Sequence, residues 1–427
     1  MATELGVALL GAGTVGAAVA RELEEHADRL ASRSGGPLVL RHVAERDPSR
    51  VRQLRSGGAV VSADAGAAVS APDVDVVVEL LGGLEPAGTL LETALRSGRA
   101  VVTANKAVIA ERGGRFAAAV RAGSGGLAFE AAVGAAIPVL AVLRDSLRGD
   151  EVRRLTAVIN GTTNHVLGRL EAGDGFDRAV ADAQERGYAE ADPSADLDGH
   201  DAAQKLCILA WFAMGAEVTP AQVQRRGIRA IDPEDVRAAH RLGSVIRLVA
   251  TAERSREGLA LTVQPTLVPA AGHPLGDLEG PENAVVVESD LAGRLVLRGP
   301  GAGADAAASA VLSDLVAVAR ARRQGREVGL PPSSPATVLD AEAARSGAWL
   351  RLRVAGGAAD DAAVVRTLDG AGVAVERLVP EESGGDLMVL TGAVPRAVLA
   401  RALERLDRRS GGPAEVVQAI DRLEATR

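Results

Sequence analysis

The chain predicts an α/β protein with a doubly wound parallel sheet first, an α+β region behind it, and a small split βαβ domain at its C-terminal end. Three observations carry that prediction. Over the first third, β-branched apolar runs alternate with stretches of helical period. A glycine turn, Gly11-Ala12-Gly13-Thr14-Val15-Gly16, joins the first such run to the first helix. A Pro/Ser-rich stretch, 326–346, then sets off the last residues as a segment of small-domain size.

In order, "ELGVALL" reads as a strand and "TVGAAVARELEEHADRL" as the helix after the glycine turn. "LVLRHVAE" is the second strand. "DVDVVVELLGG" and "RAVVTANKAVIA" are apolar with few polar breaks, as strands buried on both faces require, and "GLAFEAAVGAAIP" follows as another. After Pro138 the rhythm changes. "VLAVLRDSLRG" reads as helix, and "EVRRLTAVINGTTNHVLGRLE" as a strand, a polar turn and a helix. Helices are expected over about Asp201 to Met214 and Pro233 to Ile246. Strands follow at "LTVQPTLVP", "NAVVVESD" and "RLVLRGPG", then a long alanine-rich helix, "GAGADAAASAVLSDLVAVARAR", that closes the α+β region. Beyond the Pro/Ser stretch the pattern is strand, helix, strand, strand, helix. The expected boundaries are 1–135 for the nucleotide fold, 136–325 for the α+β region, 326–346 for the linker and 347–427 for the last domain.

Composition excludes several functions. A net charge of −8 and 2% aromatic residues do not suit a nucleic-acid binder, which needs basic surface and stacking rings. No apolar run approaches the roughly 20 residues a bilayer demands, so no membrane partner is expected. One cysteine rules out a disulfide framework and fits a reducing, cytoplasmic setting, and the N-terminus lacks a basic leader.

The glycine turn carries the first chemistry. Between a strand and a helix, its glycines permit a tight turn, close approach of a pyrophosphate and helix–strand contact, while the helix start offers N–H groups to phosphate. The end of the second strand sets the nucleotide. Glu45 suits a ribose 2′-hydroxyl, whereas Arg46 and Arg50 suit a 2′-phosphate, so NAD and NADP both remain open. Ligands of such sheets bind beyond the carboxyl ends of the strands, which gathers "ELLGG", "TANK" and "FEAAVGAAIP" round one crevice. Lys106 follows a buried strand there.

The stretch "YAEADPSADLDGHDAAQKL", Tyr188 to Leu206, concentrates carboxylates and then places a lysine. Asp201 and Lys205 stand at i,i+4 on one helix face, and the apolar "LCILAWFAM" that follows buries that helix. A lysine there is a candidate proton-transfer group. A calcium loop is rejected: Asp192, Ser194 and Asp196 have its spacing, but Leu197 and Ala203 occupy the positions of its glycine and glutamate. The histidines lack zinc spacing. Carboxylates without a metal suit a cationic substrate, and a nicotinamide cofactor then suggests an amino acid bearing an aldehyde or alcohol. Cys207 lies in the apolar helix, which favours carbonyl–alcohol interconversion over thiolate acyl chemistry.

Taken together, "GAGTVG", "VVVELLGGLEP", "VVTANKAVIA", "FEAAVGAAIP", "VINGTTNHVL" and "AQERGYAEADPSADLDGHDAAQKL" resemble the homoserine dehydrogenase family over roughly residues 5 to 315. The resemblance implies a Rossmann domain, a catalytic and dimerisation domain, a homodimer or homotetramer, and NAD(P)-linked interconversion of L-aspartate 4-semialdehyde and L-homoserine on the route to threonine, isoleucine and methionine. It implies Lys205 as proton donor, Lys106 between nicotinamide and substrate, Glu190 on the substrate ammonium with Asp201 and Asp196 nearby, and Gly161-Thr162 at the substrate end. Gly11, Gly13, Thr14, Val15, Gly16, Arg46, Thr103, Lys106 and Gly303 would hold the cofactor. Glu130, Val133, Ala135 and Ile137 would bind a sodium-like cation, mostly through backbone carbonyls. The two lysines are then expected to converge on one void beside the nicotinamide.

The chain departs from the family in three places. Gly134-Ala135-Ala136-Ile137-Pro138 stands where the family reads GGGIP, which puts methyl groups into the cation loop. Ala306-Ala307 replaces a usual Pro-Thr. The C-terminal segment resembles a ferredoxin-like ACT regulatory domain, which implies threonine as an allosteric ligand, but its first strand–helix turn lacks the usual Pro-Gly. Two further functions stay open: another NAD(P)-linked amino-acid dehydrogenase, or a catalytically silent nucleotide-binding sensor of amino acids.

Overall fold

Six parallel strands form the first sheet: β1 (Leu5–Leu10), β2 (Leu38–Ala44), β3 (Val60–Ser62), β4 (Val76–Glu79), β5 (Ala100–Thr103) and β6 (Leu127–Ala128), in the order β3-β2-β1-β4-β5-β6. The computed structural model describes residues 3–54, 58–123, 125–340, 344–354, 358–380, 386–407, 412 and 414–423. Every residue of β1, β4 and β5 is buried, which is why those runs lack polar alternation. The order reverses about β1, so the switch point of a doubly wound sheet lies beyond β1 and β4.

The chain divides into two compact units, each assembled from three stretches: 1–152, 204–220 and 289–336 in the first, and 153–203, 221–288 and 337–427 in the second. Helix α1 (Thr14–Glu25) follows β1, and α2 (Lys106–Gly123) follows β5. The alanine-rich helix Ala304–Arg323 closes this first unit and not the α+β region. Its Val311, Leu315 and Val318 share one apolar core with Val7, Leu9, Val19, Val76 and Val102. Each such side chain contributes about 1.5–3 kcal/mol on burial, and the small alanines between them let the helix lie close. "VLAVLRDSLRG" forms a short helix, Val139–Ala141, that runs into a π-helical turn, Val142–Ser146.

In the second unit, β7 (Val152–Val158) leads into α3 (Gly161–Glu171), and α4 (His200–Met214) begins here before passing into the first. The helix expected over 233–246 is shorter. Helix α5 (Pro233–Arg241) stops before Gly243 at φ +67°, and β8 (Ser244–Arg254) starts at once, paired antiparallel along its whole length with β9 (Leu259–Pro269). Val245 and Val249 are β-branched and join one buried core, while Ile246 is buried on the opposite face of the strand, which outweighs the helical spacing read from sequence. Strand β10 (Glu282–Ser289) completes the run β10-β7-β8-β9, and Gly293–Pro300 is a strand of the first unit.

The C-terminal segment continues that run. Its strands are β11 (Arg345–Val354), β12 (Val375–Pro380), β13 (Asp386–Thr391) and β14 (Ala414–Arg422), with helices α6 (Ala358–Gly370) and α7 (Arg396–Leu406). The order is β14-β11-β13-β12, all antiparallel, which is a ferredoxin-like arrangement. Strand β14 was not read from sequence; it joins β11 on one side and β9, in parallel, on the other. The turn at 355–357, where the usual Pro-Gly is missing, lies outside the described residues. Residues 331–339 of the expected linker are tied down. In the first unit Ser334-Pro335 pairs with Ala216-Glu217 and the Trp211 indole donates to the Pro331 carbonyl; in the second, the Leu339 N–H donates to the Leu259 carbonyl.

Candidate active site

In the first unit a cavity of about 700 Å³ lies at the carboxyl ends of β1, β2 and β4. Gly11, Gly13, Glu45, Arg46 and Arg50 line it. Gly11 holds φ +94°, and a methyl group there would lie 2.8 Å from the Leu80 carbonyl oxygen. At Gly16 a methyl group would meet the Gly11 carbonyl oxygen at 2.1 Å, so only glycine lets α1 approach the strand end. Gly13 caps α1 with no side chain over the first N–H groups, and Thr14 and Val15 open the helix. That is the cradle a pyrophosphate needs.

Glu45 does not reach outward. Its carboxylate accepts from the N–H groups of Ala12 (2.8 Å), Arg46 (2.8 Å) and Asp47 (3.0 Å). Burial raises its pKa, but those donors and the Arg50 charge outweigh burial and hold it below the ordinary glutamate value.

A second carboxylate organises the strand ends. Glu79, fully buried, accepts from the Thr103 hydroxyl (2.6 Å) and from the N–H groups of Leu81 (2.7 Å) and Gly82 (3.1 Å). Asn105 donates to the Gly83 carbonyl (2.7 Å) and caps the Val108 N–H (3.2 Å), so the first residue of α2, Lys106, leaves a rigid corner. Lys106 is half-buried and engaged in a polar interaction. The Thr103 hydroxyl is thus committed to Glu79. Gly303 caps the alanine-rich helix at φ +123°.

The loop expected to bind a cation follows β6. Glu130 is buried, and its carboxylate accepts from the N–H groups of Leu140 (2.7 Å) and Ala141 (2.8 Å), while its own N–H donates to Asp314 (2.7 Å). Burial raises the pKa of Glu130 and pushes Asp314 up to about 7. Between Val133 and Ile137 the chain turns through Ala135 at φ +48°, the one positive φ outside glycine among the described residues. The backbone keeps a glycine-like kink despite the methyl group. Among the described residues no cluster of His, Cys, Asp or Glu could hold a metal ion by side chains alone.

In the second unit a separate cluster is built on Asn160, just beyond the end of β7. Its amide oxygen caps α3 by accepting from the Thr163 N–H (2.8 Å), and its amide nitrogen donates to both Asp196 (2.7 Å) and Asp201 (2.8 Å). One side chain therefore fixes two predicted carboxylates. The Thr162 hydroxyl donates to the Tyr188 carbonyl (2.6 Å), which pins the start of the acidic loop. Gly161 sits so near Pro281 that a methyl group would lie 3.0 Å from its carbonyl oxygen. The Gln184 amide donates to the Glu190 carbonyl (3.1 Å), leaving the Glu190 side chain exposed. Helix α4 then carries buried Asp201 and half-buried Lys205 one turn apart. Farther along, burial pushes the Cys207 thiol up to about 12, which suits a core residue.

Sequence reasoning missed Asn160, Glu79 and Asp314. Asn160 carried a visible sign, a cap residue before a helix; the others act only through contacts distant in sequence.

A glycine cradle on a doubly wound sheet, beside a lysine at the strand ends, defines an NAD(P)-dependent oxidoreductase. Residues 11–130 match the family model described as homoserine dehydrogenase, NAD binding domain, and residues 138–316 match that of homoserine dehydrogenase. The chain is 43% identical to the homoserine dehydrogenase of Corynebacterium glutamicum over 75% of this chain and 73% of that protein. It is 45% identical to that of Mycobacterium tuberculosis, over 75% and 74%. The crystal structure of a homoserine dehydrogenase from Thiobacillus denitrificans superposes with a TM-score of 0.92 at 34% identity, covering 99% of each chain. A hyperthermophilic archaeal homoserine dehydrogenase in complex with NADPH gives 0.62 at 27% identity, over 74% of this chain and 98% of the other. The chain belongs to the homoserine dehydrogenase family. No helix among the described residues is long and apolar enough to cross a membrane.

Proposed function

We propose that the chain interconverts L-aspartate 4-semialdehyde and L-homoserine with NADP or NAD. The observation that carries this reading is Asn160 holding Asp196 and Asp201 at the head of the helix that bears Lys205. Bound reduced nicotinamide supplies a hydride to the aldehyde carbon. Lys205 delivers the proton to the carbonyl oxygen as the alcohol forms, and takes it back from the hydroxyl in the reverse direction. Glu190 takes the substrate ammonium, with Asp201 beside it; Gly161 and Thr162 receive the carboxylate end; Lys106 orients the substrate against the nicotinamide. Arg46 and Arg50 at the cavity, with Glu45 committed to backbone N–H groups, favour a 2′-phosphate and hence NADP.

In this reading 1–135 serves the cofactor, 136–325 the substrate and dimerisation, and 347–427 regulation, with threonine as its ligand. A homodimer or homotetramer acts in the cytoplasm. A sodium-like cation sits on the carbonyls of Val133, Ala135 and Ile137 with Glu130, and the retained kink at Ala135 supports that fit. Consumption of each reduced nicotinamide by the purified chain, with the semialdehyde as substrate, tests the proposal. Turnover, faster with NADPH, supports it; no turnover with either cofactor removes it.

A further inference from the structure

The acidic loop has a second anchor, within the same compact unit, on the C-terminal ferredoxin-like sheet. Along β11, Ala348, Leu350 and Leu352 pack on α6 and α7, so by strand alternation Trp349 and Arg351 lie on the opposite face. Both are buried. The Arg351 guanidinium donates to Asp232 (2.9 Å) and lies 3.0 Å from Asp235, with Asp386 at 3.8 Å. Its Nε–H is not aimed at Asp235, so that second contact is one of charge.

Asp232 and Asp235 form the capping box of α5: each carboxylate accepts the backbone N–H of the other. Gln418 of β14 adds donors to Asp235 (3.1 Å) and to the Ala230 carbonyl (3.0 Å). The C-terminal sheet therefore fixes both the start of α5 and the strand of chain before it.

That preceding chain, residues 227–230, rests on the acidic loop. The Ile228 N–H donates to the Leu197 carbonyl (2.9 Å). Gly227 packs so closely that a methyl group would stand 2.2 Å from the same carbonyl oxygen. Arg229 donates to Asp198 (2.6 Å) and to the Ser194 hydroxyl (3.1 Å). Residues 194–198 include Asp196, one of the two carboxylates that Asn160 holds.

We infer that Arg229 and Arg351 are positioning residues for the substrate loop, through which the C-terminal sheet sets affinity for the amino-acid substrate and not for the cofactor. The inference rests on the reading of that loop as the ammonium-binding site. Arg229 holds Ser194 and Asp198 against a segment that Gln418 and Arg351 immobilise. Asp235 is fully buried beside Arg351, so that end of the chain of contacts moves only as a unit.

The test uses the full-length chain and separate KM values for the semialdehyde and for NADPH. Wild-type turnover comes first: its absence would defeat the functional reading itself and this inference with it. Given turnover, R229M is expected to raise KM for the semialdehyde about 2- to 30-fold, with KM for NADPH unchanged. R351M is expected to do the same, and the R229M/R351M pair to fall short of the product of the single effects, as residues on one path do. Where R351M does not fold, Q418A, which removes the donors to Ala230 and Asp235 together with the acceptor of the Ala419 N–H, takes its place in the cycle. A semialdehyde KM within twofold of wild type for R229M, KM values for both reactants rising together, or fully multiplicative effects would each overturn the inference.

Discussion

Asn160→Asp separates the two jobs of the residue on which the substrate loop is built. Aspartate caps a helix as well as asparagine does, so the bond from the Thr163 N–H survives. What disappears are the two donations to Asp196 and Asp201, at 2.7 and 2.8 Å. Each is charge-assisted, worth about 1.5–3 kcal/mol, so about 3–6 kcal/mol is at stake. A third carboxylate now faces the other two, and one of the three escapes repulsion by taking up a proton, which limits the loss to about 3–4 kcal/mol. The sign with pH follows. Crowding raises that group's pKa in the folded state, so the deficit is largest near neutrality and above, and shrinks as the pH falls towards the unfolded value of about 4. Urea unfolding in a Trp211→Phe background reads the second unit alone, since Trp349 is the remaining tryptophan and is buried there. Loss of about 3 kcal/mol at roughly pH 8, narrowing towards roughly pH 5, is expected. A deficit under about 1 kcal/mol, or one that does not change with pH, would refute the assignment of Asn160 as the organiser of both carboxylates.

Two further outcomes are expected. Ala135→Gly relieves a methyl group held at φ +48° and should leave the protein as stable as before or up to about 1 kcal/mol more so, whereas an alanine-to-glycine change ordinarily loses that much. Thermal unfolding checks this, and a loss of about 1 kcal/mol would contradict the strained kink. Cys207, with its thiol pushed up to about 12 by burial and by the nearby Glu111 charge, should resist thiol reagents at mildly alkaline pH and react only once the chain unfolds; rapid labelling of the native protein would contradict its burial.

Features that are local in sequence were legible from it. The glycine turn announces itself because strand, turn and helix are contiguous, and Lys106 because it follows a buried run. The limits of legibility are equally physical. The sequence extends helix α5 to Ile246 because Val245 and Ile246 fit a helical period as well as a strand; only pairing with β9 decides. Strand β14 is half-buried along most of its length and has no apolar run to mark it. Glu79 and Asp314 look like ordinary charged residues, and nothing nearby in sequence says that Thr103 or the Glu130 N–H will meet them. The alanines of the helix Ala304–Arg323 showed a close-packed helix but not its partner, because small side chains fit against either layer. The substitution at Ala135 was visible as a departure; that the backbone keeps the kink was not.

The most direct measurement is the turnover of Lys205→Ala with the semialdehyde and NADPH, alongside circular dichroism and NADPH affinity. Loss of the proton donor predicts a fall in kcat of about 10² or more, with spectrum and NADPH affinity unchanged. A variant that turns over at a near-normal rate would mean that the proton comes from elsewhere, and that helix α4 does not carry the chemistry.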